Sequence, residues 1–297
     1  MTSNIAQKQI SVLKLNAKSN INQCIKNGIE SLGSLALPEN TSVVIKPNLC
    51  CIKSPETGAT TDVKVVEGIV LYLKSEFGCS DITIIESDAT QVLADMAFKL
   101  LGYEKLANKL DVKLVNLSKS PYSLRSCPQN EFIKEIQFPE VFEKADLFIS
   151  VPKIKTHMDC FLTCALKNQF GCNPFPRKSK YHKRLDDAIV DINTIFKPNL
   201  VIVDGLIALE GHRGPTDGLP IRMNTMIFGA DALAIDHYVA RVMGLKPHNI
   251  RYLVEAERRG LGSTQYKTKG VDIKEIERKF QITHPCLKNL YGLFNKI

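Results

Sequence analysis

Hydrophobic residues along this chain gather in two recurring patterns. Six short, β-branched runs, at 42–45, 81–85, 112–115, 146–151, 200–203 and 225–228, are bounded by polar residues or turn formers, which marks buried strands. Between several of them lie segments with a helical apolar stripe, the clearest formed by Val65, Val66, Ile69, Val70 and Leu73. Further helices are predicted near 19–33, 91–101, 185–196, 231–243 and 249–259. Strands that alternate with helices predict an α/β fold, a mainly parallel β-sheet flanked by helices on both faces. The whole of 1–297 reads as one α/β domain, in which two closely packed lobes, 1–197 and 198–297, can be drawn at the helix stop Lys197-Pro198-Asn199.

Composition changes this picture little. The chain is 44% hydrophobic and 24% charged, with 17 Gly and 14 Pro, values that fit neither a disordered nor a fibrous protein. No apolar run approaches the length of a membrane span, and the start lacks a charged segment followed by an apolar one, so a cytoplasmic protein with no membrane partner is expected. Nine scattered cysteines then read as reduced thiols rather than a disulfide framework. The net charge of +8 is modest, but Lys167, Arg177, Lys178, Lys180, Lys183 and Arg184 precede any carboxylate before Asp186, and that stretch should attract anions.

In parallel sheets ligands collect at the carboxyl ends of strands, so the polar segments that follow the predicted strands hold the candidate chemistry. Lys153, Lys155 and His157 combine two ammonium groups with an imidazole, suited to anion binding and proton transfer; alternatively the segment is a solvated loop. Lys167 and Asn168 lie in a largely apolar stretch, where burial would lower the lysine's pKa and make it a base or nucleophile unless Asp186 or Asp204 pairs with it. Tyr181 and His182 follow the basic loop that holds Arg177, and His157 with His182 and a carboxylate can hold a metal. Lys46 and Asn48, with Thr60 and Thr61 before the helix that Asp62 can cap, offer a second anion cradle. Asp204 and Glu210, beside His212 in a glycine-rich loop, are candidate ligands of a divalent metal; alternatively the glycines only turn the chain. Cys50, Cys51, Cys160, Cys164 and Cys172 can carry an iron–sulfur cluster, although their spacing is not a compact ligand pattern and buried hydrophobes of this kind are common.

Lys46-Pro47-Asn48-Leu49, Gly58-Ala59-Thr60-Thr61-Asp62, Val151-Pro152-Lys153-Ile154-Lys155-Thr156-His157, Ala165-Leu166-Lys167-Asn168-Gln169-Phe170-Gly171 and Gly229-Ala230-Asp231-Ala232-Leu233-Ala234-Ile235-Asp236 resemble, in order, the family called domain of unknown function 362. The resemblance covers roughly residues 40–262. Many members are similar to fusions with a ferredoxin module bearing Cys-x2-Cys-x2-Cys; here residues 263–297 hold only Cys286, so the redox role those fusions imply does not carry over by residue matching. The step of ten residues from His157 to Lys167 is also similar to the nickel-pincer lactate racemases, whose lysine carries a covalent cofactor.

The expectation is therefore an enzyme acting by acid/base chemistry on a small anionic substrate that bears phosphate or carboxylate. His157, Lys167 and His182 are the catalytic candidates; Lys46, Asn48, Thr60, Thr61, Lys153, Lys155, Asn168, Arg177 and Tyr181 bind substrate, and a divalent metal assists at Asp204 and Glu210. One alternative is an iron–sulfur or redox-associated protein with a redox partner. A weaker one is nucleic-acid binding, through Phe170, Phe175 and Tyr181 interleaved with cations.

Overall fold

A computed structural model describes residues 5–90, 92–211 and 213–282. His212 and Cys286 of the candidate chemistry lie outside the described residues. The elements run β1 (Gln9–Lys14), α1 (Ile21–Glu30), β2 (Val43–Pro47), α2 (Val63–Phe77), β3 (Ile82–Glu86), α3 (Ala94–Leu100), α4 (Tyr103–Leu110), β4 (Lys113–Asn116), β5 (Tyr122–Ser126), β6 (Glu135–Pro139) and α5 (Glu140–Glu143). They continue with β7 (Leu147–Val151), β8 (Lys153–His157), β9 (Phe161–Thr163), α6 (Ala165–Asn168), α7 (Leu185–Asn193), β10 (Leu200–Glu210), β11 (Leu219–Gly229), α8 (Ala232–Val242), α9 (Arg251–Arg258) and β12 (Lys267–Gly270).

All six predicted strands and all six predicted helices occur. Ten strands form one sheet, ordered β12-β1-β11-β10-β7-β2-β3-β4, with β8 attached to β10 and β9 to β8. From β10 to β4 the neighbours are parallel, whereas β11 is antiparallel to both β10 and β1. Strands from both sides of Lys197-Pro198-Asn199 thus share one sheet, since β10 pairs with β7 and β8.

Side-chain alternation on the central strands explains the two helical layers. Val43 and Ile45 of β2, Leu147 and Ile149 of β7 and Leu200 and Ile202 of β10 face one core, which α1, α2, α3 and α4 complete. Val44, Phe148, Val201 and Val203 face the other, closed by α7, α8 and α9. Among the described residues no helix is long and apolar enough to cross a membrane.

The chain runs from β2 to β3 and β4 on one side, then returns to place β7 on the other side of β2. Helix crossovers therefore diverge between β2 and β7, and their carboxyl ends open a crevice, the place where sheets of this kind bind ligands. Past Pro152 the chain resumes as β8, alongside the overlong β10. There Lys153 is fully buried and pairs with Asp204 at 3.1 Å. Asp204 also accepts the backbone N–H groups of Asp62, at the start of α2, and Leu206. One carboxylate thus ties β8, β10 and α2 together.

Removing one member of a buried ion pair strands the other charge, at a cost of about 3–5 kcal/mol. Asp204→Ala should lower the unfolding free energy from urea titration by that amount, shifting the midpoint down, and the apolar double variant Lys153→Met/Asp204→Leu should recover most of the loss. An Asp204→Ala midpoint equal to wild type would show that the pair anchors nothing.

Candidate functional site

A cavity of about 370 Å³ opens at the crevice. Its wall includes Lys46, Asn48 and Cys50 after β2, Glu86 and Ser87 after β3, and Lys155 and His157 of β8. Thr163 ends β9, Lys167 and Asn168 come from α6, and Lys178 and His182 from the 3-10 turns Lys178–Arg184 that follow. Five sequence-distant segments thus meet at one polar hollow.

Each lysine is held differently. Lys46 is buried and forms an ion pair with Glu86 at 2.8 Å; Glu86 also accepts the backbone N–H groups of Leu49 and Ser87. The chain turns tightly against this pair at Gly171, where a Cβ would lie 2.5 Å from Lys46 Cε and 2.6 Å from Glu86 Oε1, so glycine lets α6 approach. Among the described residues Lys155 has no carboxylate partner: its ammonium donates to Asn48 Oδ1 and Ala59 O, both at 2.8 Å, and to Cys50 Sγ at 3.2 Å. Asn48 in turn donates through Nδ2 to Asn168 Oδ1 at 3.1 Å, and Asn168 donates to Ser150 Oγ and Lys46 O. The amides are thereby fixed in orientation by the backbone of β2 and the side chain of β7.

Lys167 is half-buried, and among the described residues its ammonium makes no hydrogen bond or ion pair; it sits 3.9 Å from the centre of the Phe170 ring. Burial lowers its pKa, opposed by the nearby thiols of Cys160 and Cys50. Neither Asp186 nor Asp204 pairs with it. Lys178 donates to Ser87 Oγ and to Asp88 O, and burial pushes its pKa down to about 8, while Glu86 supports the charge and Lys46 and Lys167 oppose it. His157 accepts the Asp159 N–H at Nδ1, at 3.1 Å, which leaves its proton on Nε2 in the neutral ring. His182 is exposed at the rim.

Of the residues singled out from sequence, Lys46, Asn48, Lys155, His157, Lys167, Asn168 and His182 share this cavity. Others do not line it. Lys153 is taken up by Asp204. Thr60 donates to Lys53 O, and Thr61 bridges Asn48 N and Val151 O, so both brace the loop after β2. Arg177 is exposed, and Tyr181 is buried, its hydroxyl accepting from Asn173 Nδ2 at 2.9 Å. Of the two metal candidates, Asp204 pairs with Lys153 and accepts two backbone N–H groups, Glu210 accepts the Gln281 N–H at 2.9 Å, and neither lines the cavity. Among the described residues no group of three or more His, Cys, Asp or Glu is placed to hold a metal ion.

Cys160, Cys164 and Cys172 pack inside the core that holds α7 and α8, their pKa values raised by burial. Phe170 and Tyr181 also pack inside, edge to face, which withdraws them as stacking surfaces for bases. From sequence Lys178 was singled out only as one cation of the anion-attracting stretch, and Glu86 and Cys50 were not chosen as anion-site residues. The usable signals were the position of Glu86 at a strand end and of Lys178 in the basic loop.

A family model described as a domain of unknown function, DUF362, matches residues 43–241. A thylakoid-associated protein of Synechocystis sp. is 26% identical over 266 residues, covering 86% of this chain and 77% of the relative. Among solved structures, the lactate racemase apoprotein from Thermoanaerobacterium thermosaccharolyticum aligns with a TM-score of 0.42 and 11% identity, over 82% of this chain and 59% of that one.

Lys178 supplies a test of the electrostatics. Because its folded pKa lies below that of free lysine, the folded state binds fewer protons between pH 8 and about 10. The penalty for burying its charge is therefore greatest below pH 8, and the group's contribution to stability rises with pH through that window. Nitrogen-15 NMR of the lysine side chains should show one ammonium titrating near pH 8 that disappears in Lys178→Arg. A Lys178 ammonium still fully protonated at pH 10 would contradict this account.

Proposed function

We propose that this chain, which belongs to the DUF362 family, is an enzyme that binds a small phosphate- or carboxylate-bearing molecule in the crevice between β2 and β7 and moves protons on it. The observation that carries the reading is the Lys167 ammonium, set in the cavity wall against Phe170 with no ion pair or hydrogen bond to it among the described residues. A desolvated cation is costly unless something negative meets it, and here Lys155 and Lys178 add two more ammonium groups whose described acceptors include no carboxylate. Of the carboxylates in the wall, Glu86 is already paired with Lys46, and Asp159 supports the Lys167 charge through space without forming an ion pair with it. An anionic ligand supplies the missing charge.

Acid/base work falls to groups with a proton to exchange near neutral pH. His157 presents its Nε2 proton, Lys167 has a lowered pKa, and His182 stands at the mouth, where proton exchange with solvent is open. Asn48 and Asn168 hold the ligand's polar atoms by donating or accepting through amides already fixed in the network. The family name assigns no reaction, and a redox or nucleic-acid role draws no support from the buried thiols and aromatic rings.

Isothermal titration calorimetry with inorganic phosphate at low ionic strength tests the binding step. Wild-type protein should bind saturably, and Lys167→Met should weaken binding by roughly 10-fold or more, the worth of one charge-assisted contact. No saturable heat, or equal affinity in the variant, would remove the proposal.

A further inference from the structure

We infer that Cys50 is the nucleophile of this cavity and forms a covalent bond to an electrophilic carbon of the anionic ligand. The inference rests on the anion-binding reading above and gives it a reaction class. Cys50 lies three residues past the end of β2, half-buried, and lines the cavity together with Lys155 and Lys167. Its Sγ is 3.2 Å from the Lys155 ammonium, which is itself held by Asn48 Oδ1 and Ala59 O and so cannot swing away without losing two hydrogen bonds. The loop that supplies Ala59 is seated on β10 at Gly58, where φ is +77° and a Cβ would meet Ala208 O at 2.3 Å. This is a rigid device for keeping one ammonium beside one sulfur.

A second observation points to a ligand at the same place. Thr163 lies opposite Lys155 in the β8–β9 register and lines the cavity, and its buried hydroxyl has no hydrogen-bond partner among the described residues. A buried hydroxyl left without a partner costs roughly 1–3 kcal/mol, so it marks a position where a polar ligand atom completes the site. The other described cysteines differ. All but Cys24 are buried, and burial raises the pKa of Cys24 as it does those of the core thiols.

The charges facing Cys50 agree with the geometry. The adjacent Cys51 thiol and the Lys155 ammonium favour the thiolate, against burial and the Glu86 carboxylate, while Lys53 and Lys167 add positive charge nearby. The chemical step balances without any further reagent. The thiolate adds to a carbonyl carbon, an S–C bond forms, the C=O π pair moves onto oxygen, and the negative charge passes from sulfur to oxygen with no atom lost. Lys155 and Thr163 are the donors placed to meet that oxygen.

Alkylation kinetics with peptide mapping test this on the wild-type protein. Iodoacetamide is uncharged, so its rate at Cys50 reports the thiolate and not the anion site. We expect Cys50 to react at pH 6 at least about 10-fold faster than Cys24 and to change little between pH 6 and 8, whereas an ordinary thiol gains on the order of 50-fold. Lys155→Met should restore the steep pH dependence, and Lys155→Arg should keep most of the flat profile. Slow, steeply pH-dependent labelling of Cys50 would overturn the inference even if phosphate binds. The anion site has its own readout, the preference for iodoacetate over iodoacetamide and its loss on adding phosphate.

Discussion

The cost of placing ammonium groups at the carboxyl ends of buried strands governs this structure. An isolated charge cannot be taken out of water cheaply, so each buried lysine must be paired, hydrogen-bonded or deprotonated. Lys153 and Lys46 are paired, with Asp204 and Glu86, and both pairs hold elements of the fold together. Lys155 is satisfied by neutral oxygens and a sulfur, Lys178 by a hydroxyl and a carbonyl, and Lys167 by an aromatic face. The first two lysines are structural, and the remaining three leave a surplus of positive charge in one hollow.

That division also separates what the chain reveals in one dimension from what it conceals. The strands of the parallel core are legible because they are buried on both faces, so runs such as Val43-Val44-Ile45 and Leu147-Phe148-Ile149 need no partner to be recognised. β8 is not, because Lys153, Lys155 and His157 alternate with few apolar residues and read as a polar segment after a strand, a candidate site, until β10 is seen running beside them. Lys153 and Lys155, two residues apart on the same face, look equivalent in sequence. Only the position of Asp204, set by the pairing of β8 with β10, makes one an anchor and the other a cavity cation.

The site itself was half legible for the same reason. Strand-end residues could be named in advance, since a parallel sheet dictates where ligands gather. The acceptor of each could not. Glu86 meets Lys46 through the pairing of β2 with β3 and the close approach of Gly171, and Lys178 meets Ser87 across 91 residues of chain. Cys50 had no signal beyond following β2, because its sulfur acquires its character from Lys155, more than a hundred residues away.

A thiolate and a bound anion in one cavity compete for the same cations, and this restricts how a ligand can lie. Two unit negative charges about 6 Å apart repel by about 3 kcal/mol at an effective dielectric constant near 20, enough to raise the thiol's pKa by roughly two units, from about 5 to the neutral range, and to cut the thiolate to about half. A ligand that placed its phosphate or carboxylate against Lys155 would thus weaken Cys50 and compete for its partner cation. Lys167 and Lys178, on the α6 side and the following 3-10 turn, offer charge away from the Lys155–Cys50 contact. On the covalent reading the anionic group therefore belongs at Lys167 and Lys178, with the electrophilic carbon turned back toward β2, and Lys155 is kept for the sulfur and for the oxygen that takes over its charge.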